Sequence, residues 1–169
     1  MTKDKNSSRF FLDNHQDIVT NYMYLGLLPF FIGAFGPWIF IAKEPFLIRF
    51  FLFYSSIIFV FLAGSLWTIA LVEKLIASDA GSSKSSGSPR TVHCAIVFSL
   101  WPLGCYLLPP LYAVTLMLTG YLLLLSWEKL FVNQHYSPWY KALRHKITFI
   151  VVACHMLSIL NIVRTDVLI

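Results

Sequence analysis

Four long segments without Asp, Glu, Lys or Arg constrain this chain more than any other feature. They cover residues 22–42, 50–72, 92–127 and 147–163. Because an α-helix rises 1.5 Å per residue, about 20 apolar residues cross the roughly 30 Å hydrocarbon core of a bilayer. Only 12% of the 169 residues are charged, against about 25% in soluble domains. The sequence therefore predicts an all-α integral membrane protein.

The segment 92–127 is too long for one crossing, and Pro109-Pro110 divides it. Proline lacks a backbone N–H, so a proline pair fits a turn near the interface better than the bilayer centre. We therefore predict a hairpin at this point. The predicted fold is a single membrane domain over residues 22–169 with five transmembrane helices at about 22–42, 50–72, 92–108, 111–127 and 147–163.

The cations outside these helices predict the orientation. With five spans, one side of the membrane collects ten of them, namely Lys3, Lys5, Arg9, Lys74, Lys84, Arg90, Lys129, Lys141, Arg144 and Lys146. The other side has only Lys43, Arg49 and Arg164. Short cytoplasmic loops carry the Lys and Arg excess, so we expect a cytoplasmic N-terminus and a C-terminus on the opposite side. This rule, with attraction to anionic lipid headgroups, also accounts for the net charge of +5 without nucleic-acid binding.

Three segments lie outside the predicted spans. The cytoplasmic tail, residues 1–21, mixes apolar and polar residues in a pattern compatible with a short interfacial helix. Residues 78–90 form a Gly/Ser-rich loop typical of flexible linkers. The fourth loop combines aromatic residues with cations, which predicts an interfacial anchor at Trp127, Trp139, Tyr140 and Arg144. A specific pocket for a lipid headgroup is the alternative interpretation of this loop.

Small residues and prolines concentrate in the first two spans. Such residues kink membrane helices and allow their backbones to approach closely. We therefore predict that they form either the seam between helices one and two or a ligand groove at the kink. The set is Gly26, Pro29, Gly33, Gly36, Gly64, Ser65 and Trp67.

The absence of charge from all five predicted cores disfavours ion pumps and ion-coupled carriers, which use intramembrane charges. The chain also lacks a Gly-rich phosphate loop and a Gly-x-Ser-x-Gly nucleophile elbow. We therefore expect a protein that is not an enzyme, with no catalytic residues and no cofactor.

Histidine and cysteine occur side by side twice, as His93-Cys94 and Cys154-His155. Both residue types ligate metals and haem. His155 is nevertheless expected about 12 Å deeper in the bilayer than His93, so we predict no shared metal site. His155 alone stays a weak candidate for cofactor binding.

Three short stretches resemble a known family. They are Tyr24-Leu25-Gly26-Leu27-Leu28-Pro29-Phe30, Phe61-Leu62-Ala63-Gly64 with Trp67, and Pro138-Trp139-Tyr140 with Leu143, Arg144 and Thr148. Together they resemble domain-of-unknown-function family 3429, a bacterial inner-membrane family that includes mitochondrial transmembrane protein 69. The resemblance covers roughly residues 22–162. It implies a five-helix protein of the bacterial inner membrane, with the mitochondrial inner membrane as the alternative, and it implies no reaction or substrate.

Three functional hypotheses follow. The first is a non-enzymatic accessory or assembly subunit that contacts other membrane proteins, or copies of itself, through its small-residue helix faces. The second is a binding protein or carrier for a neutral or apolar molecule, such as a lipid or quinone, in a groove between helices one to three. The third is a haem or metal protein that uses His155. The lipid bilayer is an expected partner in all three.

Overall fold

The computed structural model describes residues 16–79, 89–132 and 136–168, with no β-strand among them. These residues form six helices, joined in two places by a short 3-10 turn (Ile41–Lys43) and a π-helical turn (Glu128–Val132). Residues 1–15 of the predicted tail and residues 80–88 of the predicted loop lie outside the described residues. The helices are α1 (residues 16–25), α2 (Leu28–Ile39), α3 (Glu44–Asp79), α4 (Pro89–Tyr106), α5 (Pro110–Trp127) and α6 (Pro138–Leu168).

Helices α1 and α2 are two halves of one membrane segment, separated by a turn at Gly26 and Leu27. Pro29 has no N–H to donate to the carbonyl of Leu25, so the helical hydrogen bonding is interrupted there. The hydroxyl of Tyr54 on α3 donates to the Gly26 carbonyl at 2.8 Å. This bond from the neighbouring helix supplies a partner for a carbonyl at the break, as a kink within a bilayer requires.

Four helical segments are long and apolar enough to cross a membrane. They are Gln16–Ile39, Ile41–Val72, Pro110–Phe131 and Pro138–Thr165. The prediction of an all-helical membrane protein is thereby confirmed. Helix α4 is not among the four; it has 18 residues, starts with Pro89 and Arg90, and contains Pro102.

The helices extend beyond the predicted spans. α3 covers 44–79 instead of 50–72, and α6 covers 138–168 instead of 147–163. A charged residue ends an apolar core, but it does not end a helix, because backbone hydrogen bonds continue into the interface. The hairpin lies where it was predicted, since the chain leaves helical geometry at residues 107–109, before α5 begins at Pro110.

Helix α3 lies centrally and contacts α2, α4 and α5, while α6 packs against α2 and α5. The outward surface is strongly apolar; Phe61 and Phe149, for example, are 74% and 75% exposed. Several polar side chains are buried instead, including Ser55, His155, Ser158 and Asn161. Apolar residues outside and polar residues inside are the arrangement expected when lipid is the solvent.

Two glycines bring α2 close to α3. A Cβ atom built on Gly33 would lie 2.7 Å from Cβ of Phe51, and one built on Gly36 would lie 3.0 Å from Leu47. Gly33 therefore allows a contact that no larger residue permits. By contrast, a Cβ on Gly64 or Gly104 would meet nothing within 4 Å.

This difference predicts opposite effects of two alanine substitutions. Gly33→Ala forces α2 away from Phe51 and is expected to lower the free energy of unfolding by about 1–3 kcal/mol. Gly104→Ala has open space around it and is expected to be neutral or to stabilise by up to about 1 kcal/mol through helix propensity. Unfolding in mixed micelles measures both, and equal effects of the two substitutions would contradict the seam described here.

Candidate functional site

A groove of about 450 Å³ runs between α1–α2, α3, α5 and α6. Its volume lies in the range of small-molecule sites, roughly 300–1,000 Å³. Most of its lining is apolar, and Arg144 is its single charged residue. The lining residues are Val19, Tyr22, Met23, Gly26, Leu27, Phe30, Ile58, Phe61, Leu62, Tyr121, Tyr140, Arg144, Ile147, Thr148 and Val151.

The groove has a shallow end near Tyr140 and a deep end near Val151. Phe30 lies beside His155, with ring centroids 6.1 Å apart, and Trp38 lies under the guanidinium of Arg164 at 4.3 Å, so α2 and α6 run in parallel. On α6 the groove extends from Tyr140, near the start of the helix, to Val151. Eleven residues of helix correspond to about 16 Å. The groove therefore extends from the start of α6 to roughly the middle of that helix.

An ion pair closes one side of the shallow end. Nε of Arg144 donates to Oε2 of Glu128 at 3.0 Å, and its Nη2 donates to Oε1 of the same carboxylate. Only 5% of each side chain is exposed. This two-point geometry joins the π-helical turn after α5 to the first turns of α6. Breaking such a pair leaves an uncompensated buried charge, which is strongly unfavourable.

The ion pair corrects part of the sequence prediction. Glu128 and Arg144 lie just outside the predicted cores 111–127 and 147–163, yet both are buried, and both lie within segments apolar enough to span. The interior therefore contains charge, but as a neutral pair. Arg144, which we expected to be an anchor reaching lipid phosphate, instead has its guanidinium bound to Glu128.

A phenol lies beside this pair. Tyr136 borders the same small recess as Glu128 and Arg144. Burial, followed by the negative charge of Glu128, raises the pKa of Tyr136 to about 12. Tyr136 thus stays a neutral phenol throughout the physiological pH range.

His155 lies at the centre of the bundle and is fully buried. Its Nδ1 lies 2.8 Å from the carbonyl oxygen of Val151, and its Nε2 lies 3.0 Å from Oγ of Ser55. A carbonyl can only accept, so Nδ1 carries the proton and Nε2 accepts from the serine hydroxyl. Tyr121 completes the cluster by donating to the carbonyl of Ser55 at 2.9 Å.

Aromatic rings enclose this histidine. The ring centroids of Phe51 and Tyr121 lie 4.7 and 5.2 Å from that of the imidazole. Since both ring nitrogens have partners, a metal or haem iron would have to displace Ser55 to reach Nε2. The geometry gives the haem or metal hypothesis no support. Among the residues that the structure describes, no three His, Cys, Asp or Glu side chains group as metal ligands.

The inward face of α6 continues as a polar stripe from His155 toward the C-terminal end of the helix. Ser158 and Asn161 are fully buried, and their Oγ and Nδ2 atoms have no hydrogen-bond partner among the described residues. Near the end of the helix, the hydroxyl of Thr165 donates to Oε1 of Glu44 at 2.6 Å. Polar residues thus follow the inward face of α6 from Arg144 to Thr165.

The structure separates the predicted small-residue set into three places. Gly33 and Gly36 lie at the α2–α3 seam, and Gly26 borders the groove close to Pro29. Gly64 and Trp67 border a different, shallower hollow of about 370 Å³ between α3 and α4. The Ser65 hydroxyl donates within its own helix to the Leu62 carbonyl at 2.6 Å. The groove therefore lies at the predicted kink beside Gly26 and involves the first two spans, but α5 and α6 complete it in place of α4.

The aromatic residues of the predicted anchor lie near the ends of α5 and α6. The ring of Trp127 packs on that of Phe131, with centroids 4.2 Å apart. Trp139 and Tyr140 contact each other edge to face at 5.8 Å. Tyr140 also lines the groove, so it belongs to the candidate site as well as to this aromatic cluster.

Sequence reasoning missed Glu128, Ser55 and Tyr121. The available signal was on α6, where Arg144, Thr148, His155, Ser158 and Asn161 recur at intervals of three, four or seven residues. That spacing places polar groups on one helical face. It predicts that the facing helices supply partners, but it does not say which residues do so.

Comparison with known proteins identifies the family of this chain. Residues 17–160 match the model of a family described as proteins of unknown function, DUF3429. The chain belongs to the DUF3429 family. No curated protein and no solved structure gives a significant match. Membership confirms the resemblance of the three short stretches, and the groove and ion pair of this DUF3429 member lie within the matched residues.

The buried ion pair predicts a large effect of removing one partner. Glu128→Ala leaves Arg144 buried and unpaired, which is expected to lower the free energy of unfolding by about 3–5 kcal/mol. Lys129→Ala, at the neighbouring exposed position, is the control and is expected to change it by less than about 0.5 kcal/mol. Replacing both partners by methionine should recover most of the loss. Equal stability of the two alanine variants would show that the pair does not hold α5 to α6.

Proposed function

We propose that this DUF3429 member binds an apolar molecule taken from the membrane. The observation that carries the proposal is the groove of about 450 Å³, which is mostly apolar and reaches from the interface to the bundle centre. Ligand sites typically combine such a lining with a few polar groups that fix orientation. The hydroxyls of Tyr140 and Thr148 and the guanidinium of Arg144 are of this kind.

The rim and floor of the groove support access from the lipid. At the rim, Tyr22 and Phe61 are 69% and 74% exposed. At the floor, Phe30 and Tyr121 are almost completely buried. An apolar molecule can thus pass from the surrounding lipid chains to the floor without crossing water, which lowers the cost of its transfer.

We further propose that all five long helical segments cross the membrane, with α4 as the fifth span. Its neighbours α3 and α5 both qualify as spans, and it packs against each of them. The cation distribution then favours a cytoplasmic N-terminus, and the family resemblance favours the bacterial inner membrane. Topology reporters fused before Met1 and after Ile169 test this, because a four-span protein would place both on the same side.

Filling the groove is expected to release its ligand. Ile58→Trp adds bulk at a lining position, whereas Ile57→Trp adds the same bulk at the adjacent, exposed position. Lipid extraction and mass spectrometry of the purified proteins should show an enriched apolar molecule in the native protein and in Ile57→Trp. In Ile58→Trp it should fall at least about tenfold, as expected for a loss of more than about 1.4 kcal/mol in binding. Identical lipid profiles in all three would contradict the proposal.

A second candidate function, an accessory subunit, is supported by the hollow between α3 and α4. Gly64 is exposed at its base, no atom lies within 4 Å of a Cβ built there, and Ala95 and Ser99 line it. Small residues facing lipid permit close approach of a helix from another subunit. This role can coexist with ligand binding because the hollow and the groove share no lining residue.

The test of this second function uses a matched pair of glycines. Gly64→Leu fills the hollow, while Gly104→Leu changes an equally open glycine that does not line it. Native mass spectrometry after gentle extraction should show that Gly64→Leu loses a membrane-protein partner, or its own second copy, and that Gly104→Leu retains it. A lone protomer in every sample, native protein included, would remove the accessory role.

A further inference from the structure

We propose that the shallow end of the groove selects a neutral headgroup with a carbonyl acceptor on an apolar tail, and excludes an anionic headgroup on the same tail. This inference deepens the proposed function and rests on it. It comes from the two hydrogen bonds by which the Glu128 carboxylate engages the guanidinium of Arg144.

Arg144 retains hydrogen-bonding capacity that Glu128 does not use. The carboxylate engages Nε and Nη2 of the guanidinium. Arginine has five N–H donors and no acceptor, so Nη1 and its two N–H groups stay outside this two-point contact. Arg144 also lines the groove. A ligand held there must therefore present an acceptor.

The residues one turn away on α6 reinforce this preference. Tyr140 and Thr148 are four residues before and after Arg144, which places all three on one helical face, and all three line the groove. Hydroxyl groups can donate to a ligand oxygen as the guanidinium does. Together they form a polar end to a cavity that is otherwise mostly apolar.

Charge balance decides between neutral and anionic acceptors. Glu128 already compensates the charge of Arg144, and both side chains are 5% exposed. An anion brought to this end would lie near a second negative charge without a cation of its own. Burying an uncompensated charge costs far more than burying a neutral carbonyl that receives hydrogen bonds.

The other cations described close to Arg144 do not alter this balance. Lys129 and Lys141 border a recess of only about 10 Å³ together with Glu128 and Arg144, and Lys146 is exposed. None of these three lysines lines the groove. Lys129 is exposed, so its interaction with a charge in the groove is weakened by solvent and salt.

The depth of the site fits such a molecule. Along α6 the groove is about 16 Å long from Tyr140 to Val151, with Tyr140, Arg144 and Thr148 on this wall, whereas the residues that α1, α2 and α3 contribute are mostly apolar. A quinone and an acyl ester share this order of carbonyl head and apolar tail. They are the two ligand sources that the shared chemistry allows.

Three probes that each contain a sixteen-carbon chain, which in the ester includes the carbonyl carbon, test the inference on the full-length protein in nanodiscs. Methyl palmitate has a neutral carbonyl, hexadecanesulfonate is an anion at all working pH values, and hexadecane has no acceptor. Native mass spectrometry should give methyl palmitate an affinity at least about tenfold above each of the other two, as one hydrogen bond to a charged group provides. Ile58→Trp should abolish binding of the ester, which locates it in the groove.

Glu128→Gln then tests the cause of the preference. It removes the compensating charge but keeps an oxygen that accepts from Arg144, so hexadecanesulfonate should gain at least about tenfold and bind as tightly as the ester. The double variant Glu128→Gln/Arg144→Gln has no charge and should again prefer the ester. If Glu128→Gln does not fold, the relative affinities of the three probes for the native protein still test whether the groove prefers a neutral carbonyl headgroup.

The possible failures are distinct. If none of the three probes binds the native protein, the proposed function itself is wrong. If hexadecane or hexadecanesulfonate binds as well as methyl palmitate, the groove binds apolar molecules but its polar end does not select them, and this inference is overturned. A quinone analogue run beside methyl palmitate identifies which carbonyl source binds more tightly.

Discussion

A polar side chain on the interior face of a membrane helix is stabilised when a neighbouring helix supplies its hydrogen-bond partner, because lipid supplies none. Helix α6 shows this constraint most clearly. Arg144 is held by Glu128 near one end, His155 by Ser55 at the centre, and Thr165 contacts Glu44 near the other end. These three contacts fix α5 and α3 against α6, and the groove is the space that remains beside α1 and α2.

The constraint also explains what the site can do. Among the described residues that line the groove, the charged one is Arg144, which is paired with Glu128, and the buried His155 beside Phe30 is engaged by Ser55. What the groove offers is apolar surface together with donors at its interface end. The proposed binding of a neutral amphiphile therefore rests on the same pairing that stabilises the bundle.

Much of the fold follows from sequence alone. The uncharged segments located the helices, and Pro109-Pro110 located the turn between α4 and α5. The boundaries were less accurate, since charges such as Arg49 and Glu73 end an apolar core while the helix continues. The kink at Gly26 was foreseen from the cluster of glycine and proline, but its capping by Tyr54 is a contact between helices that no local pattern encodes.

The candidate site was harder to predict for the same reason. His155, Arg144 and Tyr140 were singled out by residue type, yet the roles of Arg144 and Glu128 depend on two helices meeting at one level. Gly33 and Gly64 belong to one sequence pattern but to different environments, one filled by Phe51 and one open to lipid. Periodicity assigns a residue to a face, and only the tertiary packing assigns that face a neighbour.

The most direct measurement of the central claim is an electron cryo-microscopy map of the native protein extracted with its own lipids. The account predicts elongated density between Phe30 and Tyr140, with its head within hydrogen-bonding distance of Arg144 while Glu128 stays paired. A groove closed by repacking of α1 and α2, with no such density and no space for it, would contradict the account.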